Sequence, residues 1–408
     1  MLLEAEVIAV GSELLLGQIV DTNSAVIARH LARIGLNLFY KTIVGDNLSR
    51  LTATLRQALG RSDVIITTGG IGPTADDITR AAVAAATDRE LVFSGELMGQ
   101  IEAYFAARGL RLSPSNRRQA HIPAGAIPVE NPVGTAPAFI VEHHAKTVIT
   151  LPGVPREMEY LLVNRVIPYL RKRLGVQGEI RLRVLKTVGL GESRIGELLA
   201  DFMEKGANPT VGTLAHLGQV DVRIAAKADD AASAERLIAP VETEIRARLG
   251  DAVFGADDAT LETEIAARLK AVQGRVAIVE VGGAGVASGR LAASAPGVFA
   301  GGIVLADSSE AERLGLDART AEGSAERTRA LAAAAAKWAG AAMGAASWLE
   351  PVPGTSPPTV RAIVAVSANG AHGQAREYRF GGDLPSMRIR TATLLLDLIR
   401  RTLPAEPR

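Results

Sequence analysis

The amino-acid sequence predicts an α/β protein: a layered parallel-sheet domain, then a small α+β unit, then a further α/β unit. Three observations carry that expectation. Strand-like and helix-like periods alternate along the first 170 residues, the pattern of a parallel sheet with helices on both faces. Hydrophobic residues make up 48% of the chain, yet it has only 8 Phe, 5 Tyr and 2 Trp, so the core material is mainly aliphatic, as α/β layers require. The length of 408 residues corresponds to two or three domains at roughly 100–200 residues each.

In order, Val7–Val10 reads as a short buried strand ending at Gly11. Asn23 to Ile34 has helical spacing and stops at Gly35. Leu36–Val44 is a second strand, Leu48–Leu59 a second helix, and Val64–Thr68 a third strand that runs into a glycine-rich loop and a helix from Ile78. Thr147–Leu151 is a later strand, and Arg156–Leu174 a helix closing the unit. Beyond Gly175, strands at Arg181–Val188 and Val220–Ala226 and helices at Ser193–Lys205 and Ser233–Leu249 predict the small α+β unit, with 250–258 as a linker. The last segment has strands at Val276–Val279, Val360–Val366 and Glu377–Phe380 and a closing helix at Met387–Leu403. Pro351–Pro358 reads as a rigid loop within it. The expected domains are 1–170, 171–255 and 256–408.

Composition excludes several classes. Lys and Arg number 45 against 44 Asp and Glu, a net charge of +1, which argues against a nucleic-acid partner. The absence of cysteine excludes disulfides, thiolate metal sites and cysteine nucleophiles. The acidic start, with Glu4 and Glu6, is unlike a signal peptide. The alanine-rich stretch 331–346 is broken by Lys337 and too weakly apolar to span a bilayer. The expectation is a cytoplasmic protein with no membrane partner.

Open α/β sheets bind ligands beyond the carboxyl ends of their strands. After the first strand come Gly11, Ser12 and Glu13, then Asp21: a close-approach glycine, a hydroxyl and oxygen ligands. After the third come Gly69, Gly70, Ile71, Gly72, Pro73 and Thr74, then Asp76 and Asp77. Three glycines in four positions between a strand and a helix predict a concave loop of free N–H groups, suited to phosphate. It lacks the Gly-Lys-Ser/Thr of a P-loop and the spacing of a dinucleotide fingerprint. Paired aspartates beside a phosphate imply a bridging divalent cation, Mg2+ by its chemistry. A single aspartate could instead cap the following helix.

Taken together, these loops resemble the CinA family, the competence/damage-inducible proteins. The matching motifs run in order: Gly11-Ser12-Glu13-Leu14-Leu15, Asp21-Thr22-Asn23, Val44-Gly45-Asp46, the Gly69–Asp77 loop, Ser115-Asn116-Arg117, 131–137 and 151–155. The resemblance implies a molybdopterin-binding-like first domain with ADP-ribose pyrophosphatase activity, a KH-like middle domain and a homodimer. It implies catalytic roles for Asp77, Asp76 and Glu13, with Asp77 also holding the metal. It implies nucleotide contacts from Gly11, Ser12, Asp21, Asn23, Asp46, Gly69, Gly70, Gly72, Thr74, Asn131, Gly134, Thr135, Pro152, Gly153 and Pro155. The middle unit shows no basic-flanked Gly-X-X-Gly clamp, which again argues against RNA.

The last segment departs from the family. Members usually end in a nicotinamide mononucleotide deamidase domain whose serine lies in Glu-Ser-Cys-Thr-Gly-Gly; here the place reads Glu280-Val281-Gly282-Gly283-Ala284-Gly285. Val281 cannot attack a carbon, and the Tyr and Lys that activate the family's serine are absent from 306–312. Ser288 is the one nearby stand-in nucleophile. The expectation is a deamidase-like fold without deamidation. The expected activity is metal-dependent hydrolysis of ADP-ribose to AMP and ribose 5-phosphate by the first domain. The alternatives are adenylyl transfer in molybdopterin chemistry and a non-catalytic nucleotide-binding scaffold.

Overall fold

A computed structural model describes residues 3–175, 178–204, 208–307, 310, 324–368 and 373–404. Among these, no helix is long and apolar enough to cross a membrane. The chain divides into two compact units, Met1–Arg181 with Ala226–Arg236, and Leu182–Ala225 with Leu237–Arg408.

In the first unit, strands β1 (Glu4–Val10), β2 (Asn37–Val44) and β3 (Val64–Thr68) precede a small two-stranded sheet of β4 (Leu91–Phe93) and β5 (His121–Pro123). β6 (Ile127–Val129), β7 (Ala138–His143) and β8 (Lys146–Leu151) follow. The main sheet has the order β2-β1-β3-β8-β7-β6. β2, β1, β3 and β8 are parallel, and β7 is antiparallel to both its neighbours. Helices are α1 (Ser12–Leu15), α2 (Thr22–Ala32), α3 (Leu48–Arg61), α4 (Thr79–Ala86), α5 (Gly95–Ala106), α6 (Pro155–Leu161) and α7 (Ile167–Leu174).

Strand alternation builds the layers. On β1 and β3, Ile8, Val10 and Ile65 enter one core with Leu51 and Leu55 of α3, Val83 of α4 and Leu97 of α5. Their neighbours Val7, Val64 and Ile66 enter the other with Ile27 and Leu31 of α2 and Met158 of α6. A strand's side chains point alternately to opposite faces, so a sheet buried on both sides is apolar at every position. The helix expected at Arg156–Leu174 is interrupted by a π turn at Leu162–Val166. Pro168 lies just beyond and has no N–H to donate, and the irregular turn absorbs the break in the ladder.

The middle sheet has the order β10-β11-β9-β12, from β9 (Glu179–Val188), β10 (Thr210–His216), β11 (Gln219–Ala228) and β12 (Val253–Ala256). Its helices are α8 (Glu192–Glu204) and α9 (Ala231–Leu249). Lys205, expected to end α8, lies outside the described residues. The stretch 250–258, expected as a linker, instead contains β12, which pairs antiparallel with β9. Four residues are too few for periodicity to declare a strand, but Phe254 is buried in the core of the second unit.

The last sheet has the order β14-β13-β15-β16-β17. It is built from β13 (Val276–Val281), β14 (Phe299–Leu305), β15 (Met343–Val352), β16 (Thr359–Ala368) and β17 (Gln374–Gly381). β14 and β15 run parallel to β13; β16 and β17 are antiparallel hairpin strands. α10 (Leu261–Ala271), α11 (Val286–Ser294) and α13 (Leu384–Thr402) pack on one face. α12 (Ser324–Ala339) packs on the other. Pro351 and Val352, expected in a loop, end β15. The α/β class therefore holds.

Candidate active site

Because β1, β2, β3 and β8 are parallel, the loops that follow them share one edge, and the loop entering antiparallel β7 reaches the same edge. Hydrogen bonds knit these loops. Gly11 N donates to Val44 O at 3.0 Å. Ser12 N donates to Asp46 Oδ2 (2.8 Å), and Asp46 N to Ser12 Oγ (3.1 Å). Ser12 and Asp46, expected as ligand contacts, thus bracket two loops together. Thr68 Oγ1 donates to Pro152 O at 2.9 Å.

The loop after β3 is held from behind. Gly69 and Gly70 have φ of +101° and +66°, a region that glycine enters at no steric cost. Thr79 Oγ1 donates to Gly69 O (2.8 Å), and Thr79 N to Gly70 O (3.0 Å). The Arg80 guanidinium donates to Ile71 O (2.5 Å) and Gly72 O (2.6 Å). Four successive carbonyls are therefore turned towards α4. In a trans peptide the N–H points opposite its carbonyl, so the amides of Gly70 and Ile71 face away from α4. Among the described residues they donate to nothing. Arg80 is buried, and burial pushes its pKa down to about 10, so it stays charged at neutral pH.

Asp77 staples the loop's front. Its Oδ1 accepts from Gly72 N (2.7 Å), and its Oδ2 accepts from Thr74 N (2.7 Å) and Thr74 Oγ1 (2.5 Å). Asp76 is exposed, and the neighbouring Thr74 side chain and its own backbone amide hold its pKa below the usual value. Asp77, the expected metal ligand, thus spends most of its acceptor capacity on the loop, and Asp76 keeps most of its own.

The fourth loop hangs on Asn131. Its Nδ2 donates to Ala136 O (3.0 Å) and to Glu157 Oε2 (2.6 Å), and its Oδ1 accepts from Val133 N (3.2 Å). Thr135 Oγ1 accepts from Gln119 Nε2 at 3.3 Å. A Cβ on Gly134 would overlap the Glu157 carboxylate, which explains the glycine. Burial raises the Glu157 pKa, partly offset by the Asn131 bond and Arg156.

A cavity of 110 Å³ opens beside these loops, lined by Glu13, Asp21, Asn23, Thr68, Gly153 and Pro155 together with aliphatic residues. Asp21 caps α2 through Ser24 N (3.0 Å), with Lys41 Nζ 3.0 Å from its Oδ2. Burial pushes its pKa up, but Ser24 and Lys41 outweigh this and hold it low. Asn23 Nδ2 donates to Thr68 Oγ1 (3.0 Å) and Gly153 O (2.8 Å). Of the residues expected from sequence, Glu13, Asp21, Asn23, Gly153 and Pro155 line the cavity. Asp46, Gly69–Asp77 and Asn131–Thr135 do not; they form the surrounding loop frame. Arg80 and Glu157 escaped sequence reasoning. An arginine at the start of a helix usually reads as solvated, and only its position three residues after Asp77 hinted otherwise.

The corresponding place after β13 is closed. Val281 is buried in the apolar core. Glu280 is also buried, and its Oε1 accepts from Ser288 N (2.8 Å) and Ser288 Oγ (2.7 Å), while Oε2 accepts from Ala287 N (3.2 Å). The stand-in serine therefore spends its hydroxyl on a helix cap. Ser308, Ser309, Ala311 and Glu312 lie outside the described residues.

The fold and the loop frame define a molybdopterin-binding-type α/β domain, and residues 6–172 match the family described as probable molybdopterin binding domain. Residues 182–255 match the damage-inducible protein CinA KH domain. A protein of Alkaliphilus oremlandii named as competence-damage inducible is 38% identical, over 98% of this chain and 98% of that protein. One of Caldicellulosiruptor saccharolyticus is 36% identical over 98% and 99%. The chain belongs to the CinA family of competence/damage-inducible proteins. Among solved structures, a CinA protein of unknown function from Thermoplasma acidophilum is 37% identical, covering 41% of this chain and 97% of that one, with a TM-score of 0.38.

Proposed function

We propose that the first domain hydrolyses a nucleotide pyrophosphate, ADP-ribose to AMP and ribose 5-phosphate, with a divalent metal, Mg2+ by its donor chemistry. The observation that carries this reading is the pair of uncommitted amides at Gly70 and Ile71, turned outward because Thr79 holds the carbonyls of Gly69 and Gly70. Such amides suit non-bridging phosphate oxygens and the charge that grows on them. Among the described residues no cluster of three or more ligating side chains forms. Mg2+ commonly uses one or two carboxylates plus substrate phosphates, so Asp76, with the free lone pair of Asp77 Oδ1, fits a metal shared with the substrate. When bound, the metal supplies Lewis acidity that offsets phosphate charge.

In the reaction, a water oxygen bonds to one phosphorus as the bridging P–O bond breaks. The leaving phosphate takes the electron pair, and the water's proton passes to a carboxylate. Glu13 is exposed at the cavity, and its carboxylate accepts no hydrogen bond from the described residues. The third domain is read as having lost nicotinamide mononucleotide deamidation, on the burial of Val281 and the engagement of Ser288. The test is purified full-length protein with ADP-ribose, with and without Mg2+, and separately with nicotinamide mononucleotide. AMP appearing only with metal, and no nicotinic acid mononucleotide, is the expected result. Tight ADP-ribose binding without turnover would instead mark a sensor or scaffold.

A further inference from the structure

The second compact unit holds a cavity of 360 Å³ whose walls come from its middle and last sheets. The loop Gly189–Glu192 and the β10–β11 turn form one wall. Tyr378 and Phe380 of β17, with Arg390 and Leu394 of α13, form the other. None of residues 280–288 lines it, so it is separate from the closed place after β13. A Cβ on Gly218 would come within 3.3 Å of the Thr393 side chain, so the β10–β11 turn rests directly on α13. The volume falls within the ~300–1,000 Å³ of pockets that hold a small molecule.

The cavity's polar groups have capacity to spare. The Arg390 guanidinium carbon sits over the Phe380 ring, 5.9 Å from its centroid. Among the described residues that guanidinium makes no hydrogen bond and no ion pair. Asp383, the carboxylate that feels its charge, spends both oxygens on Ser386. A guanidinium resting on an aromatic face keeps its N–H edge for an anion. Tyr378 and Phe380 are two apart on one strand and share a face; with Leu394 they make an apolar wall. On the opposite wall, Gln219 pairs through its backbone with His216. Its carboxamide makes no hydrogen bond among the described residues and offers donor and acceptor together.

Two titratable groups complete the lining. Glu192 accepts from Thr213 Oγ1 at 3.0 Å and keeps lone pairs for an amino donor. His216 Nε2 is 3.2 Å from Asp221 Oδ2, and Lys186 shares that carboxylate at 2.8 Å. One unpaired guanidinium beside one carboxylate favours a single anionic group over a polyphosphate chain.

We propose that this cavity is a second nucleotide site, which takes a nucleoside monophosphate whose base carries an exocyclic amino group, as AMP does. The phosphate pairs with Arg390. The base lies against Tyr378 and Phe380, since aromatic side chains hold an unstacked base whatever its sequence. Glu192 and Gln219 meet its amino edge, the pairing that carboxylates and carboxamides make with such bases. The proposal is independent of the hydrolytic reading and stands whether or not the first domain turns over ADP-ribose.

The test counts AMP bound to the full-length protein by equilibrium dialysis without added metal, for the wild type, Arg390→Gln and Phe380→Leu. The wild type should hold one more AMP per chain than either variant. Photolysis of the wild type with 2-azido-AMP should label the peptide that spans Tyr378–Leu394, a readout that needs no variant and serves if either fails to fold. Adenosine lacks the phosphate, and inosine monophosphate has a keto group in place of the amino group. Each should compete for that label about tenfold more weakly than AMP, as the loss of one charge-assisted or well-placed hydrogen bond implies. Equal AMP counts in all three proteins, or labelling confined to the first domain, overturns the proposal. Tryptophan competing as well as AMP also overturns it and would mark a site for aromatic amino acids; inosine monophosphate competing as well as AMP overturns the part given to Glu192 and Gln219.

Discussion

Two loops in this chain follow central parallel strands and are rich in glycine, one after β3 and one after β13. They differ in where their polar groups are spent. After β3, Thr79 and Arg80 take the carbonyls from behind, Asp77 takes two amides in front, and the Gly70 and Ile71 amides stay open. After β13, the one buried carboxylate, Glu280, is consumed by the first turn of α11 and by Ser288. A glycine-rich loop at a strand end is thus a scaffold. Spare hydrogen-bonding capacity turns it into a candidate site.

Substitutions should sharpen that contrast. The largest effect is expected from Gly69→Ala, which meets both an unfavourable φ and the Val10 carbonyl. AMP release should fall at least a hundredfold, since strain at such a position costs about 1–3 kcal/mol before the steric overlap is added. Gly283→Ala, in the loop after β13, should leave AMP release unchanged. Retained activity in the first variant would break the comparison. Asp77→Asn comes next. Its amide would set an NH2 group against a loop N–H, so an activity loss of about a hundredfold should accompany a stability loss of about 1–3 kcal/mol, read by denaturant melts.

Arg80→Met leaves two carbonyls without donors. A loss of about 1.5–3 kcal/mol is expected for charge-assisted bonds, with a smaller fall in turnover than for Asp77→Asn; a variant as stable as wild type would refute the role given to Arg80. The smallest effect concerns pH. Burial raises the Glu157 pKa above its ordinary 4.5, so the native state keeps that proton to higher pH than the unfolded chain. This contribution to stability is fully present below pH 4.5 and is lost as pH rises through the folded pKa. Glu157→Gln should remove that part of the slope in denaturant melts across pH 4–8.

Much of the first domain was legible because its central strands carry buried apolar runs such as Val7–Val10 and Val64–Ile66 and its helices end on glycines such as Gly35. The site was legible as residue types and not as hydrogen-bond directions. Asp77 reads as a metal ligand in one dimension, and only the folded loop turns its oxygens onto Gly72 and Thr74. Arg80 and Glu157 act through carbonyls and a glycine that are distant or unremarked in sequence. β14 and β15 were missed for a compositional reason: Gly301, Gly302 and Gly344 dilute their strand signal. Gly344 is required because a Cβ there would overlap the backbone of Ala332 on α12, a contact that no local pattern announces.

The pairing of β12 with β9 bears on how the chain can be divided. A protein ended at Leu249 would remove β12 and leave the backbone groups of Leu185–Thr187 that pair with Val253–Ala256 facing water. An uncapped strand edge is a template for other chains, so such a fragment should self-associate, whereas one ended after Asp258 keeps its border strand.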